Sequence, residues 1–184
     1  LGDVYKRQPY NDPQVIAGQG TIALELLEQL PKLDVVYVSI GGGGLISGIG
    51  SVLKAFSPQT RVVGVSAKNS AALAASIRAG QMVEVEHSDT LADGCAGSVD
   101  GDSITLSLGS EVIDVLIDCS ENQIEEGIRH IAWTEKMLVE GSAGLALAAW
   151  TADDSQHKGK VSAVVLCGAN FDRERLQPII GSQS

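Results

Sequence analysis

Ser39-Ile-Gly-Gly-Gly-Gly-Leu-Ile-Ser-Gly48 sets four consecutive glycines between an apolar run and an amphipathic one. Upstream, Val35-Val-Tyr-Val-Ser39 has the β-branched and aromatic make-up of a buried strand. Downstream, Leu45, Ile46, Ile49, Val52, Leu53 and Phe56 recur at helical spacing. Strand, glycine turn and helix in succession form a phosphate-binding layout. Glycine backbone approaches an anion closely and admits positive φ, successive N–H groups converge on it, and the helix offers its positive N-terminal end. No charged side chain is required. The run is neither G-x-G-x-x-G nor G-x-x-x-x-G-K-[ST], so the dinucleotide and nucleoside-triphosphate fingerprints do not apply. The competing reading is a tight turn with no ligand, and it is costly, because each glycine loses more backbone entropy on folding than any other residue.

On the N-terminal side, Leu1 to Gln8 show neither helical nor strand period and read as a leader or a truncated end, leaving 9–184 as the folded portion. Pro9-Tyr-Asn-Asp-Pro13 reads as a turn cluster, and Gly18-Gln-Gly-Thr21 leads into a helix carrying Ile22, Leu26, Leu27 and Leu30, closed by Pro31. On the C-terminal side, Ser57-Pro58 turns the chain into a second strand, Arg61 to Ser66, so that strand, crossover helix and strand imply a right-handed parallel unit. An alanine-rich helix, Asn69 to Ala79, ends at Gly80. Val83 to Asp102 is a long acidic loop. A short helix over Ser103 to Ser110 precedes a strand from Val112 to Ile117, and Ser120-Glu-Asn-Gln123 has the form of a capping box. Ser142 reads as the cap of a helix through Leu145 and Ala149, and Val161 to Leu166 as the last strand, delivering Cys167-Gly-Ala-Asn170 to its carboxyl end. Open parallel sheets place ligand residues at that end, as they do the loop after the first strand. Trp133, Trp150, Phe56 and Tyr37 fall at periodic apolar positions and are expected in the core.

Composition narrows the function. A formal net charge of −10 over 184 residues argues against nucleic acid and anionic membrane surfaces as partners. No apolar stretch is long enough to span a bilayer. Three widely spaced cysteines fit neither a disulfide framework nor a C-x-x-C metal site, which points to a reducing cytoplasm, and three isolated histidines offer no metal-ligand spacing.

Five stretches, Ala17-Gly-Gln-Gly-Thr-Ile-Ala-Leu-Glu25, Gly41-Gly-Gly-Gly-Leu-Ile-Ser-Gly48, Thr90-Leu-Ala-Asp-Gly94, Leu138-Val-Glu-Gly-Ser-Ala-Gly144 and Val164-Val-Leu-Cys-Gly-Ala-Asn170, follow one another in an order that resembles the fold-type II pyridoxal-phosphate enzymes. Within that family the resemblance is to the threonine/serine dehydratases (ammonia-lyases) and the serine racemases, and it runs from Pro9 to the end of the chain. It implies an α/β fold with an open, twisted, mostly parallel sheet flanked by helices, the large domain of the tryptophan synthase β-like fold, whose N-terminal part this chain does not include. It implies pyridoxal 5′-phosphate as cofactor, L-threonine or L-serine as substrate, loss of water and ammonia to give a 2-oxo acid, and a homo-oligomer when intact. Serine racemase and a non-catalytic phosphate-ligand-binding module are the alternatives.

Residue by residue, the resemblance implies that Gly41, Gly42, Gly43, Gly44 and the Leu45 amide wrap the cofactor phosphate and that Cys167 stands beside the pyridine nitrogen. A neutral thiol there cannot force a proton onto the ring. Glu140 and Gly94 belong beside the cofactor by the same resemblance, with a helix-dipole carboxylate as the plainer reading of Glu140 and a turn residue as that of Asp93. The family's Schiff-base lysine and substrate-carboxylate loop belong to a segment preceding this chain, and none of its seven lysines stands in the expected context. Where relatives carry cation-binding acids, Ser66 and Ala72 stand here, so no metal site is expected and the fragment alone is expected to be inactive.

Overall fold

The computed structural model describes residues 8–152 and 157–181, so of the expected leader only Gln8 is described. In chain order the elements are α1 (Pro13–Gln19), α2 (Thr21–Gln29), β1 (Val35–Ser39), α3 (Gly44–Phe56), β2 (Arg61–Ala67), α4 (Ala72–Ala79), α5 (Thr105–Val112), β3 (Val115–Cys119), α6 (Glu121–His130), α7 (Gly141–Ala152), β4 (Ser162–Val164) and α8 (Arg173–Gly181). The strands pair in parallel in the order β3-β2-β1-β4. The chain steps outward from β1 to β2 and β3, then crosses back to lay β4 on the open edge of β1. The open α/β fold read from the sequence is what forms.

Side-chain alternation divides the core into two layers. Val35 and Tyr37 of β1 face α6, α7 and α8, where they join Ile124, Ile128, Leu145 and Ile179. Val36 and Val38 face α2, α3 and α4, with Ala23, Ile46, Ile49, Leu53 and Leu73. Burial on both faces explains why β1 is a continuous apolar run rather than an alternating one. The layer of α6 and α7 depends on backbone approach. A Cβ on Gly127 would stand 2.4 Å from the Gly144 carbonyl oxygen, so α6 and α7 meet nearly backbone to backbone.

Several local readings hold. Ser120 and Gln123 form a reciprocal capping box at the start of α6, the Ser120 amide donating to Gln123 Oε1 at 2.8 Å. Gly80 ends α4 with φ +68°. Others are corrected. The Pro9–Pro13 cluster is not only a turn: Asp12 caps α1, accepting from the Gln14 amide at 2.8 Å, and Pro13 takes the first helical position, where its missing N–H costs nothing. β3 starts at Val115 rather than Val112, because Val112 is buried in the last turn of α5, where a Cβ on Gly50 would meet it at 2.5 Å. Tyr37 is buried and Trp150 packs against the core, stacked on His157 with ring centroids 4.6 Å apart. Phe56 and Trp133 are not core: they are 72% and 61% exposed. Phe56 is the last residue of α3, and Trp133 lies in a wide helical turn after α6, its indole N–H donating to the Ile180 carbonyl at 3.1 Å. Among the described residues, no helix is long and apolar enough to cross a membrane.

Gly127→Ala is expected to lower stability by about 2 kcal/mol, because the added methyl meets backbone that cannot give way. Phe56→Ser is expected to change it by less than about 0.5 kcal/mol. Urea denaturation of both variants checks the pair, and an undisturbed Gly127→Ala would contradict the close helix contact.

Candidate functional site

β1 has a neighbour on each side, and the connections leaving β1 and β4 go to opposite faces of the sheet, α3 to one and α8 to the other. A crevice opens where they part. It is a cavity of about 350 Å³ lined by Ser39 and Gly41 to Leu45 from the end of β1, Pro9 and Tyr10, Gly94 and Cys95 of the long loop, Glu140 and Ser142 at the start of α7, and Cys167 beyond β4.

The glycine run forms one wall, and neighbouring side chains press closely on it. Gly43 has φ +90°, and a Cβ there would lie 2.3 Å from Leu73 Cδ2. At Gly42 the added atom would fall 2.2 Å from the Tyr10 ring. Glycine is therefore demanded by conformation at Gly43 and by close packing at Gly42, and the loop shows the cavity only backbone. The Ser47 amide is the first to bond back within this turn, to the Gly43 carbonyl at 3.0 Å. Among the described residues, no protein acceptor pairs with the amides of Gly42, Gly43, Gly44 or Leu45. Unpaired N–H groups at the positive end of a thirteen-residue helix are the arrangement an anion calls for.

The opposite wall is fixed by Glu140. Its carboxylate accepts from the Asn170 amide at 2.8 Å, and its own amide donates to the Gly168 carbonyl at 3.2 Å. A Cβ on Gly168 would fall 2.6 Å from Glu140 Oε1. This tie holds the Cys167–Asn170 turn against the start of α7, so Glu140 is both a helix-start carboxylate and a cavity residue. Cys167 faces the open cavity while protein surrounds its other sides. Desolvation there, with Cys95 and the Glu140 carboxylate nearby, pushes its thiol up to about 12, so it is neutral at pH 7. Burial raises the Cys95 thiol as well. Asp93 accepts from the Gly94 amide at 2.8 Å and faces Arg175 at 3.8 Å, outside the cavity, as a turn residue.

All eight residues assigned from sequence thus meet at one cavity: Gly41, Gly42, Gly43, Gly44, Leu45, Gly94, Glu140 and Cys167. The sequence reading misses Pro9, Tyr10, Ser39, Cys95 and Ser142. Ser39 at the end of β1 is the one a strand-end rule could find. Ser142 is misread: α7 begins at Gly141, and the Ser142 hydroxyl caps nothing. Ser66 is buried at the end of β2 with its hydroxyl unpaired among the described residues, and Ala72 opens α4.

A phosphorylated pyridine fits this donor set, bare amides and a neutral thiol lining one cavity. The profile of the family described as pyridoxal-phosphate dependent enzyme matches residues 2–168. An L-threonine ammonia-lyase of Thermotoga maritima is 40% identical over 172 residues, 94% of this chain and 42% of its own length. A catabolic L-threonine dehydratase of Escherichia coli is 38% identical over 175 residues, covering 94% and 53%. In structure, the processed threonine deaminase isoform 2 of Solanum lycopersicum superposes with a TM-score of 0.87 at 31% identity over 94% of this chain and 51% of that one. Maize serine racemase does so at 0.83 and 30%, over 92% and 53%. The chain spans about half the length of the curated relatives it matches. A profile match over residues 2–168, on the parallel sheet shared with threonine deaminase, places the chain in the family of pyridoxal-phosphate dependent enzymes of fold type II.

Proposed function

We propose that this chain is the C-terminal portion of a threonine/serine dehydratase and that its cavity holds pyridoxal phosphate. The observation that carries the reading is the set of unpaired amides from Gly42 to Leu45 opening on a cavity that Cys167 also lines. Bound there, pyridoxal phosphate supplies an electron-withdrawing ring that lets an amino acid lose its α-proton and β-hydroxyl. The chain's own residues hold and tune. The amides take the phosphate, and the Leu45 amide belongs to the first turn of α3, where the helix dipole adds its field. Cys167 offers the ring nitrogen a weak neutral donor and no negative charge. Glu140 keeps Cys167 in place through Asn170. Gly94 leaves space between Ser142 and Glu140, since a Cβ would stand 2.9 Å from one and 3.4 Å from the other.

Among the described residues no lysine lines the cavity. The lysine that the resemblance implies belongs to the portion of the intact protein that this chain does not span, and the chain alone does not turn over threonine. Dehydration is preferred to racemisation because the sequence relatives at 38–40% identity are an L-threonine ammonia-lyase and an L-threonine dehydratase.

Leu45→Pro tests the cradle. Proline is tolerated in a first helical turn and deletes one N–H, and the preceding Gly44 has no Cβ to obstruct it. Calorimetry is expected to show roughly tenfold weaker binding of both inorganic phosphate and pyridoxal phosphate, the worth of one charge-assisted hydrogen bond. Unchanged affinity would contradict an amide cradle. For Cys167, alkylation by iodoacetamide is expected to accelerate with pH past pH ~10 without levelling, because only the thiolate reacts. A plateau near pH ~8.5, the value of an ordinary thiol, would show a thiol of a different kind.

A further inference from the structure

Ser142 lies on the cavity wall, 2% exposed, and its hydroxyl has no hydrogen-bond partner among the described residues. Its backbone is tightly held, because the Ser39 hydroxyl donates to the Ser142 carbonyl at 2.6 Å. The hydroxyl stands near the Cys95 thiol, close enough to work against the rise in that thiol's pKa, yet the two make no bond of acceptable geometry. The next residue on its open side is Gly94, which has no side chain to meet it. A buried, unpartnered hydroxyl lowers stability, and alanine at the same place would not carry that penalty. Ser142 is also the second residue of the twelve-residue α7, so a second helix N-terminus meets the cavity.

We propose that Ser142 is a further cofactor-binding residue, its hydroxyl donating to the ring nitrogen of the bound pyridine beside Cys167. The inference rests on the pyridoxal-phosphate reading of the cavity. A hydroxyl and a thiol then compete for the nitrogen's one in-plane lone pair, and the hydroxyl is the stronger neutral donor. The positive end of α7 adds a field that disfavours a proton on that nitrogen. The polar atom left unpaired in the free chain acquires its partner when the cofactor arrives.

The test compares 4′-deoxypyridoxine 5′-phosphate, which lacks the aldehyde and needs no lysine, with inorganic phosphate. Calorimetry and thermal melting are run on the wild-type chain, Ser142→Ala and Ser142→Thr. Ser142→Ala is expected to bind the pyridine roughly five- to tenfold more weakly, with phosphate affinity held within about twofold and a melting temperature equal to or above wild type. Ser142→Thr, which keeps the hydroxyl, is expected to retain wild-type pyridine affinity within about twofold. Unchanged pyridine binding by Ser142→Ala would overturn the proposal, as would an equal loss for phosphate. A lowered melting temperature or failure to fold would do the same, since an unpaired hydroxyl supports nothing in the free chain. If the wild-type chain bound neither ligand, the pyridoxal-phosphate reading itself would fail. Binding of both with an unaffected Ser142→Ala removes Ser142 alone.

Discussion

Unpaired backbone amides at the end of β1 are the constraint on which the site depends. Every peptide N–H in a folded chain needs an acceptor, and those of a helix's first turn find none inside the helix. Here α3 starts where a parallel sheet changes winding direction, so its first amides face a crevice rather than another element. The strand order β3-β2-β1-β4 makes that crevice unavoidable, because the connections after β1 and β4 leave to opposite faces. The glycines follow from the same geometry. Leu73 and Tyr10 pack against the loop so tightly that no side chain fits at Gly42 or Gly43.

The rest of the cavity obeys one rule, that side chains around it are anchored by their neighbours while the cavity surface keeps unspent polar groups. Glu140 uses its carboxylate on the Asn170 amide and thereby fixes Cys167. Ser39 uses its hydroxyl on the Ser142 carbonyl and thereby fixes the start of α7. What remains unsatisfied is the cradle amides and the Ser142 hydroxyl. Folding tolerates such groups at a cost, and those that line a cavity are open to a ligand as buried ones such as the Ser66 hydroxyl are not. Close packing of α6 on α7 through Gly127 and Gly144 supplies the rigid wall behind them.

Much of this is legible in the chain itself. The run from Val35 to Phe56 declares strand, glycine turn and helix, because each segment carries its own period. Ser120-Glu-Asn-Gln123 and Gly80 declare helix ends by local chemistry. What escapes is set by contacts distant in sequence or by an ambiguous local signal. Asp12-Pro13 serves equally as a turn and as a helix start, and only the packing of α1 against α3 decides, with a Cβ on Gly48 falling 2.2 Å from the Ile16 carbonyl oxygen. Phe56 keeps the helical period of α3 but ends outside the core, since a period states direction and not how far the covering layer extends. Tyr10 behind Gly42, and Cys95 beside Ser142, are brought together by the fold from segments with no shared pattern. Ser142 is misjudged because serine beside a helix start reads as a cap, and only the coordinates show its hydroxyl idle.

The most direct measurement of the account is an amide nitrogen–proton correlation spectrum of the labelled chain, recorded while pyridoxal phosphate is added. Saturable downfield proton shifts concentrated on the amides of Gly42, Gly43, Gly44 and Leu45, reproduced by inorganic phosphate, are the expected result. Smaller changes at Cys167 should appear only with the pyridine ligand. Shifts centred elsewhere on the surface, with the glycine amides unmoved at saturation, would contradict the claim that these backbone donors hold the cofactor.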